Sequence, residues 1–215
     1  MNIWAIIPVK PFNRAKSRLA PILSPEQRAA LAEQMFRHSL EILSSVKQIG
    51  GVLVVSRDTK ALGIAHDYHV QTVHESGTPE LNAALLRASQ VIGLQGADGV
   101  LVLPADVPFV NAEDIEQLLH LGRYNTTVVL APDRHEDGTN ALVVNPPGFI
   151  PFAFGPGSFR RHMLLAEEVN ATVKVYHSER MGLDIDVPDD LQLYFQLGGD
   201  TLPFAHSAGS LTITE

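Results

Sequence analysis

Three groups of charged residues in this chain have types and spacings suited to chemistry on phosphates. The first is basic: Lys10, Arg14, Lys16 and Arg18 crowd into the stretch that follows the apolar run Ile3 to Val9. Cations and amide donors at the end of a strand are what a nucleoside triphosphate requires. A solvated basic loop is the alternative. The second is Asp106, within Pro104-Ala105-Asp106-Val107-Pro108 at the end of another apolar run. A carboxylate there suits Mg²⁺, which takes one or two carboxylates and leaves its other positions to phosphate oxygens and water. A turn aspartate for the next helix is the alternative, although Asn111 is better placed as that cap. The third is Leu183-Asp184-Ile185-Asp186-Val187. In an extended chain the two carboxylates share one face and the three apolar side chains the other. Like charges that close need a cation or solvent between them; a bound metal would supply the cation, and an edge strand with a polar face is the alternative.

Two further segments, Asp137-Gly138-Thr139-Asn140 and Gly155-Pro156-Gly157-Ser158, offer hydroxyls, glycine amides and a helix start that can hold a phosphate or carboxylate. Each is also a common turn or cap. The nine histidines show neither His-x-x-x-His nor His-Glu-x-x-His spacing, so none reads as a zinc ligand. Gly-x-Gly-x-x-Gly and a Walker lysine loop are absent, which removes the motif support for a dinucleotide site or a P-loop.

The elements that must position these residues follow from periodicity. Ile3 to Val9, Gly51 to Ser56, Val70 to Val73 and Gly99 to Leu103 read as short buried strands. Helices intervene: Ser24 to about Val46 behind the capping box Ser24-Pro25-Glu26-Gln27, Lys60 to His66, about Glu80 to Ile92 opened by Thr78-Pro79, and Asn111 to about Leu121. Such alternation implies a mostly parallel sheet covered on both faces, with the loops after the strands along one edge, where ligands bind. Thr126 to Ala131 and Ala141 to Val144 then read as an antiparallel excursion. A helix capped by Ser158 and running to about Val169, a strand from Thr172 to Tyr176 and a helix from Pro188 to Leu197 complete the pattern. The chain reads as one domain over residues 1–198, and 199–215 as a frayed tail.

Bulk properties narrow the function. Hydrophobic residues make up 45% and charged residues 19% of the chain, the balance of a self-folding domain. A net charge of −8 argues against a nucleic-acid partner, which needs a positive face. There is no cysteine, hence neither a disulfide framework nor a thiolate metal site. The run from Met1 to Lys10 is broken by Pro8 and lacks a signal peptide's basic leader, and no stretch is apolar for long enough to span a bilayer. A cytoplasmic enzyme without membrane contact is expected; a homodimer is left open.

Taken together in order and spacing, Pro8-Val9-Lys10, Lys16-Ser17-Arg18-Leu19, Pro104-Ala105-Asp106-Val107-Pro108, Asp137 to Leu142, Phe154-Gly155 with Ser158-Phe159, and Asp184-Ile185-Asp186 resemble the 2-phospho-L-lactate or phosphoenolpyruvate guanylyltransferases of coenzyme F(420) assembly. The resemblance implies a three-layer α/β/α Rossmann-like sandwich of the nucleotide-diphospho-sugar transferase type. It also implies transfer of GMP from GTP to a small phosphorylated carboxylic acid. On the same ground Asp106, Asp184 and Asp186 would hold Mg²⁺, Lys10, Lys16 and Arg18 would contact the triphosphate, and Thr139, Gly155 and Ser158 would bind the acid. Asp106, Lys16 and Arg18 would carry the chemistry. The family's fourth-strand motif is often Gly-Asp-Leu-Pro, so Ala105 and Val107 depart from it. Relatives acting on sugar phosphates or molybdopterin carry a Leu-x-Gly-Gly loop after the first strand, where this chain has Pro8-Val9-Lys10-Pro11. Those transferases, and a catalytically silent nucleotide-binding module, are the competing readings.

Overall fold

The computed structural model describes residues 2–76 and 80–198. The Thr78-Pro79 helix opening and the 199–215 tail lie outside the described residues. Within them, seven strands make one sheet: β1 (Ile3–Val9), β2 (Ile49–Ser56), β3 (Gln71–His74), β4 (Gly99–Val102), β5 (Thr127–Pro132), β6 (Thr139–Asn145) and β7 (Thr172–Val175). Their order is β3-β2-β1-β4-β6-β5-β7. The first four run parallel; β6 is antiparallel to both β4 and β5, and β7 returns parallel to β5. The expected antiparallel excursion is thus the β5–β6 hairpin, which carries the turn at residues 133–138.

Alternation along the strands divides the core into two layers. Ala5 and Ile7 of β1, with Leu101 of β4, face α1 (Pro25–Ser45), α2 (Thr59–Asp67) and α4 (Ala112–Leu121), which contribute Phe36, Leu40, Ile64 and Leu118. On the other face, Ile6, Val100 and Val102 meet α3 (Leu81–Leu94) and α5 (Ser158–Glu168) through Leu85, Ile92 and Phe159. Helix α1 starts as its sequence requires, with Pro25 inside the first turn and the reciprocal Ser24–Gln27 bonds formed. Asn111 and Asp114 cap α4 in the same way.

A third, smaller cluster matters most for function. Leu19 and Leu23 from the loop after β1, Leu31 and Met35 of α1, Leu191 and Tyr194 of α7 (Pro188–Gln196), and Leu183 and Ile185 pack together. One apolar patch therefore anchors both the basic loop and the acidic segment. The segment Leu183 to Val187 is extended but belongs to no strand. Leu183 and Ile185 are buried while Asp184 and Asp186 are half-buried, the alternation its sequence foretold. Two 3-10 turns, Phe12–Arg14 and Ser17–Leu19, and a short helix α6 (Glu179–Gly182) were not foreseen, because single turns carry too little periodicity to register.

Register brings the loops to one edge. Val9 lies level with Ser56, and Ser56 with His74, so Lys10, Arg57 and Glu75 leave the sheet side by side. The buried Ser56 hydroxyl donates to the Val9 carbonyl at 2.8 Å and accepts from the Asp58 amide at 3.0 Å. The Asp58 carboxylate in turn receives the Phe12 amide at 2.8 Å. Asp190 performs the same service for the acidic segment: it accepts from the amides of Asp186 and Val187 at 2.9 and 2.8 Å and from Arg134 at 2.7 Å. Replacing Asp190 with Ala strands these donors and should lower stability by about 1–3 kcal/mol. Urea unfolding measures it, and an unchanged midpoint would show that the segment is held by its apolar side alone.

Candidate active site

The basic loop, the end of β4 and the acidic segment converge on Lys16. Its Nζ lies 3.0 Å from Asp106 Oδ2 and 3.1 Å from Asp186 Oδ1, with only 7% of the side chain exposed. Lys16 sits in the left-handed region at φ 52°, ψ 38°, a conformation few non-glycine residues adopt, which costs of order 1–3 kcal/mol. Apolar packing of Leu19 beneath it holds the loop in place, and the strained residue directs its ammonium inward. The bond from the Ile185 amide to the Asp106 carbonyl, 3.2 Å, ties the acidic segment directly to the end of β4. Asn140 adds a second tie, donating to the Met181 carbonyl at 2.8 Å and to Asp184 Oδ1 at 3.3 Å.

Charge governs the protonation of this cluster. Burial by itself would weaken the hold of Lys16 on its proton, but Asp106 and then Asp186 overcome that, and the ammonium is stabilised beyond its ordinary range. Asp186 is desolvated too, yet Lys16, helped by Arg18 and Lys10, holds its carboxyl below the usual range. Asp184 lies outside this pairing. Desolvation first, then the charges of Asp106 and Asp186, push it up to about 6 despite the bond from Asn140. Arg18 is surface-lying, 3.8 Å from Asp186.

Beside the cluster opens a cavity of about 420 Å³, within the range of small-molecule sites. Lys10, Arg14, Lys16, Asp106 and Asp186 line one part, and Arg57, Glu75 and Glu80 another. A smaller pocket of about 290 Å³, around Trp4, Val46 and Ile49, offers no Asp, Glu, Lys or Arg and has no comparable chemistry.

Thr139, Gly155 and Ser158 form a separate group. Ser158 is not the cap of α5, as its sequence suggested; Gly157, at φ 68°, takes that position, and Gly155 at φ 122° shapes the approach. The Ser158 hydroxyl instead donates to Thr139 Oγ1 at 3.2 Å, and both side chains are buried. Behind them stands His162, which sequence reading passed over because it lacks ligand spacing. The Ala153 amide donates to its Nε2 at 2.9 Å, so the ring proton resides on Nδ1 and is given to Thr139 Oγ1 at 3.1 Å. Only the folded chain brings these residues, far apart in sequence, into contact. Gly155 is at the surface, and the adjacent Phe154 lines the large cavity.

Among the described residues no three Asp, Glu, His or Cys side chains are arranged as a ready metal cage. The donors present are nevertheless hard carboxylate oxygens, and a cation already bridges two of them in the form of the Lys16 ammonium. Mg²⁺ characteristically uses one or two carboxylates plus substrate phosphates rather than a closed protein cage, so the residues fit that ion.

Comparison with known proteins shows the family. The family model described as "Guanylyl transferase CofC like" matches residues 3–206. A phosphoenolpyruvate guanylyltransferase of Rubrobacter xylanophilus is 37% identical over 199 residues, covering 93% of this chain and 96% of that protein. A 2-phospho-L-lactate guanylyltransferase of Methanothermobacter thermautotrophicus is 35% identical over 192 residues, 89% of this chain and 83% of the relative. Among solved structures, a nucleotide-diphospho-sugar transferase from Desulfovibrio desulfuricans G20 superposes with a TM-score of 0.76, covering 96% of this chain and 94% of its own at 14% identity, a likeness of fold. Among the described residues no helix is long and apolar enough to cross a membrane.

Two outcomes follow from the titrating groups. Asp184 binds its proton more tightly in the fold, about 6 against an ordinary 3.8, so its ionisation opposes folding above that range. Asp184→Asn should therefore raise stability of the metal-free protein at pH 7.5 by up to about 3 kcal/mol, and a lower unfolding midpoint would contradict this. His162 is shifted the other way, down to about 4 by burial and then by Arg161. The unfolded ring takes up its proton near pH 6.5 and the folded one does not, so stability falls as pH drops from 6.5 towards 4. His162→Phe should flatten that decline by about 3 kcal/mol relative to the parent; parallel slopes in a pH series of melts would refute it.

Proposed function

The chain belongs to the guanylyl transferase family of CofC type, and from that premise we propose that it transfers GMP from GTP to the phosphate of a small phosphorylated carboxylic acid, phosphoenolpyruvate in the first instance, in coenzyme F(420) assembly. The observation that carries this reading is the Lys16 ammonium held between Asp106 and Asp186 beside a large cavity at the carboxyl edge of the sheet. Carboxylates that already share a cation, next to a cluster of basic side chains, suit a reaction in which two phosphates must be drawn together.

An oxygen of the acceptor phosphate attacks the α-phosphorus of GTP; the bond to the bridging oxygen of the β-phosphate breaks and pyrophosphate departs. The attacking phosphate is already ionised near neutral pH, so no general base is required. One or two Mg²⁺ ions held by Asp106, Asp184 and Asp186 would supply the positive charge that offsets the repulsion between the two anions. Lys10, Lys16 and Arg18 bind the triphosphate, and Lys16 and Arg18 balance the charge that builds on the leaving pyrophosphate. In this reading the Lys16 ammonium would turn from its carboxylate partners to phosphate oxygens of the bound substrate. Asn140 keeps Asp184 in place, and the Ile185 amide keeps the acidic segment against Asp106. Thr139, Gly155 and Ser158 receive the acid, with the histidine behind Thr139 orienting its hydroxyl. The acidic chain works in the cytoplasm on small anions gathered by this local basic loop.

Pyrophosphate release from GTP and Mg²⁺, run in parallel with phosphoenolpyruvate, 2-phospho-L-lactate, 3-phosphoglycerate and glucose 1-phosphate, tests the reading. Release with a three-carbon phospho-acid supports it; release with the sugar phosphate alone, or with none, sinks it. Asp106→Asn should lower turnover by roughly 100-fold or more with the fold retained, and a fully active variant would remove Asp106 from the chemistry.

A further inference from the structure

We propose that Glu75 reads the guanine base, its carboxylate accepting the N1–H and the 2-amino group from the far end of the cavity. This rests on the reading that a guanosine triphosphate lies along the crevice with its phosphates at Lys16.

Strand order sets the distance. Asp106 follows β4, Lys10 follows β1, Arg57 follows β2 and Glu75 follows β3, and these strands are consecutive neighbours in the sheet. Three spacings of about 4.8 Å separate the first from the last, roughly 14 Å. A nucleotide whose α-phosphate sits between the basic loop and Asp106 therefore extends its base towards the β2–β3 edge. The walls in between are apolar, with Pro8, Val55, Leu81 and Ala84, as the flat faces of a purine prefer.

At that end the cavity presents three charged side chains, Arg57, Glu75 and Glu80. Glu80 is committed to its own helix, accepting from the Asn82 and Ala83 amides at 3.1 and 2.7 Å. Glu75 is held from two sides: its Oε2 pairs with Arg57 Nε at 3.2 Å and its Oε1 accepts from the Glu80 amide at 3.3 Å. Each oxygen of a carboxylate keeps room for a further bond, so both remain able to accept. With 15% of its side chain exposed, Glu75 is oriented and still reachable. Guanine carries two adjacent donors on its pairing edge, N1–H and the 2-amino group, matching the two oxygens. Adenine has a bare N1 and no 2-amino group, and would leave the carboxylate facing a lone pair. Arg57 is then the positioning residue that holds the reader.

Equilibrium binding of nucleoside triphosphates to the intact protein tests this without any acceptor. The parent should bind GTP roughly tenfold or more tightly than ITP, which lacks the 2-amino group, and should discriminate further against ATP. In Glu75→Gln one acceptor becomes a donor, which suits the 2-carbonyl of xanthine. The variant should lose affinity for GTP at least tenfold and gain affinity for XTP, reversing the order of the two. That gain cannot come from misfolding, and the parent's GTP to ITP ratio stands even if the variant fails to fold. Equal affinity of the parent for GTP and ITP, or an unchanged GTP to XTP order in Glu75→Gln, overturns the assignment of Glu75. A guanine ladder as expected, with no pyrophosphate released for any phospho-acid, overturns instead the reading of the acceptor.

Discussion

A buried ammonium has to be neutralised, and Lys16 meets that requirement with carboxylates from two distant parts of the chain. Asp106 comes from the end of a central strand and Asp186 from a segment that belongs to no strand, so the ion cluster is also a tertiary fastening. Its partners lie at 3.0 and 3.1 Å, close enough that removing Lys16 would leave both carboxylates uncompensated in a half-buried site. The arrangement is uneven by construction. Three carboxylates face one buried cation, and Asp184, the carboxylate outside the pairing, carries the excess as a raised affinity for protons. A second cation is the natural remedy, which links the folding electrostatics of the chain to its proposed chemistry.

Everything around the cluster serves to hold charges that would otherwise separate. The small apolar patch of Leu19, Leu31, Leu183, Ile185 and Tyr194 clamps the basic loop and the acidic segment from below. Asp190 and Asp58 gather backbone amides from above, and Ser56 links the ends of β1 and β2. The left-handed backbone at Lys16 is tolerable because these contacts overdetermine the loop. Rigidity is bought here in many small hydrogen bonds, none of which a motif search would single out.

The second half of the site is built on a different principle. Thr139, Ser158 and His162 form a buried, neutral chain of donors and acceptors whose direction is set by one backbone amide, that of Ala153. Neighbouring residues of β6 thus serve two ends: Asn140 reaches the acidic segment, while Thr139 faces α5. Alternation on a single strand divides labour between this neutral hydroxyl group and the carboxylate cluster.

Much was legible in the sequence. The apolar runs announced β1, β2 and β4, the capping box at Ser24 and the cap at Asn111 announced α1 and α4, and the spacing of Asp184 and Asp186 put both on one face with Ile185 opposed. These are local signals, set by a period of two or 3.6 residues or by a cap a few residues long. Ser158 misled for the same reason: a serine beside glycines at a helix start looks like a cap, and only the approach of Thr139 gave its hydroxyl another partner. His162 was silent because nothing near it in sequence marks a histidine whose partners are Thr139 and Ala153. The distance of Lys16 from Asp106 and Asp186, the raised proton affinity of Asp184 and the ion pair of Arg57 with Glu75 were likewise decided by tertiary structure alone. Residue type and local period determine which groups are offered and which way they face; the energy of a charge depends on every other charge and on the depth of burial around it, and those exist only once the chain has closed.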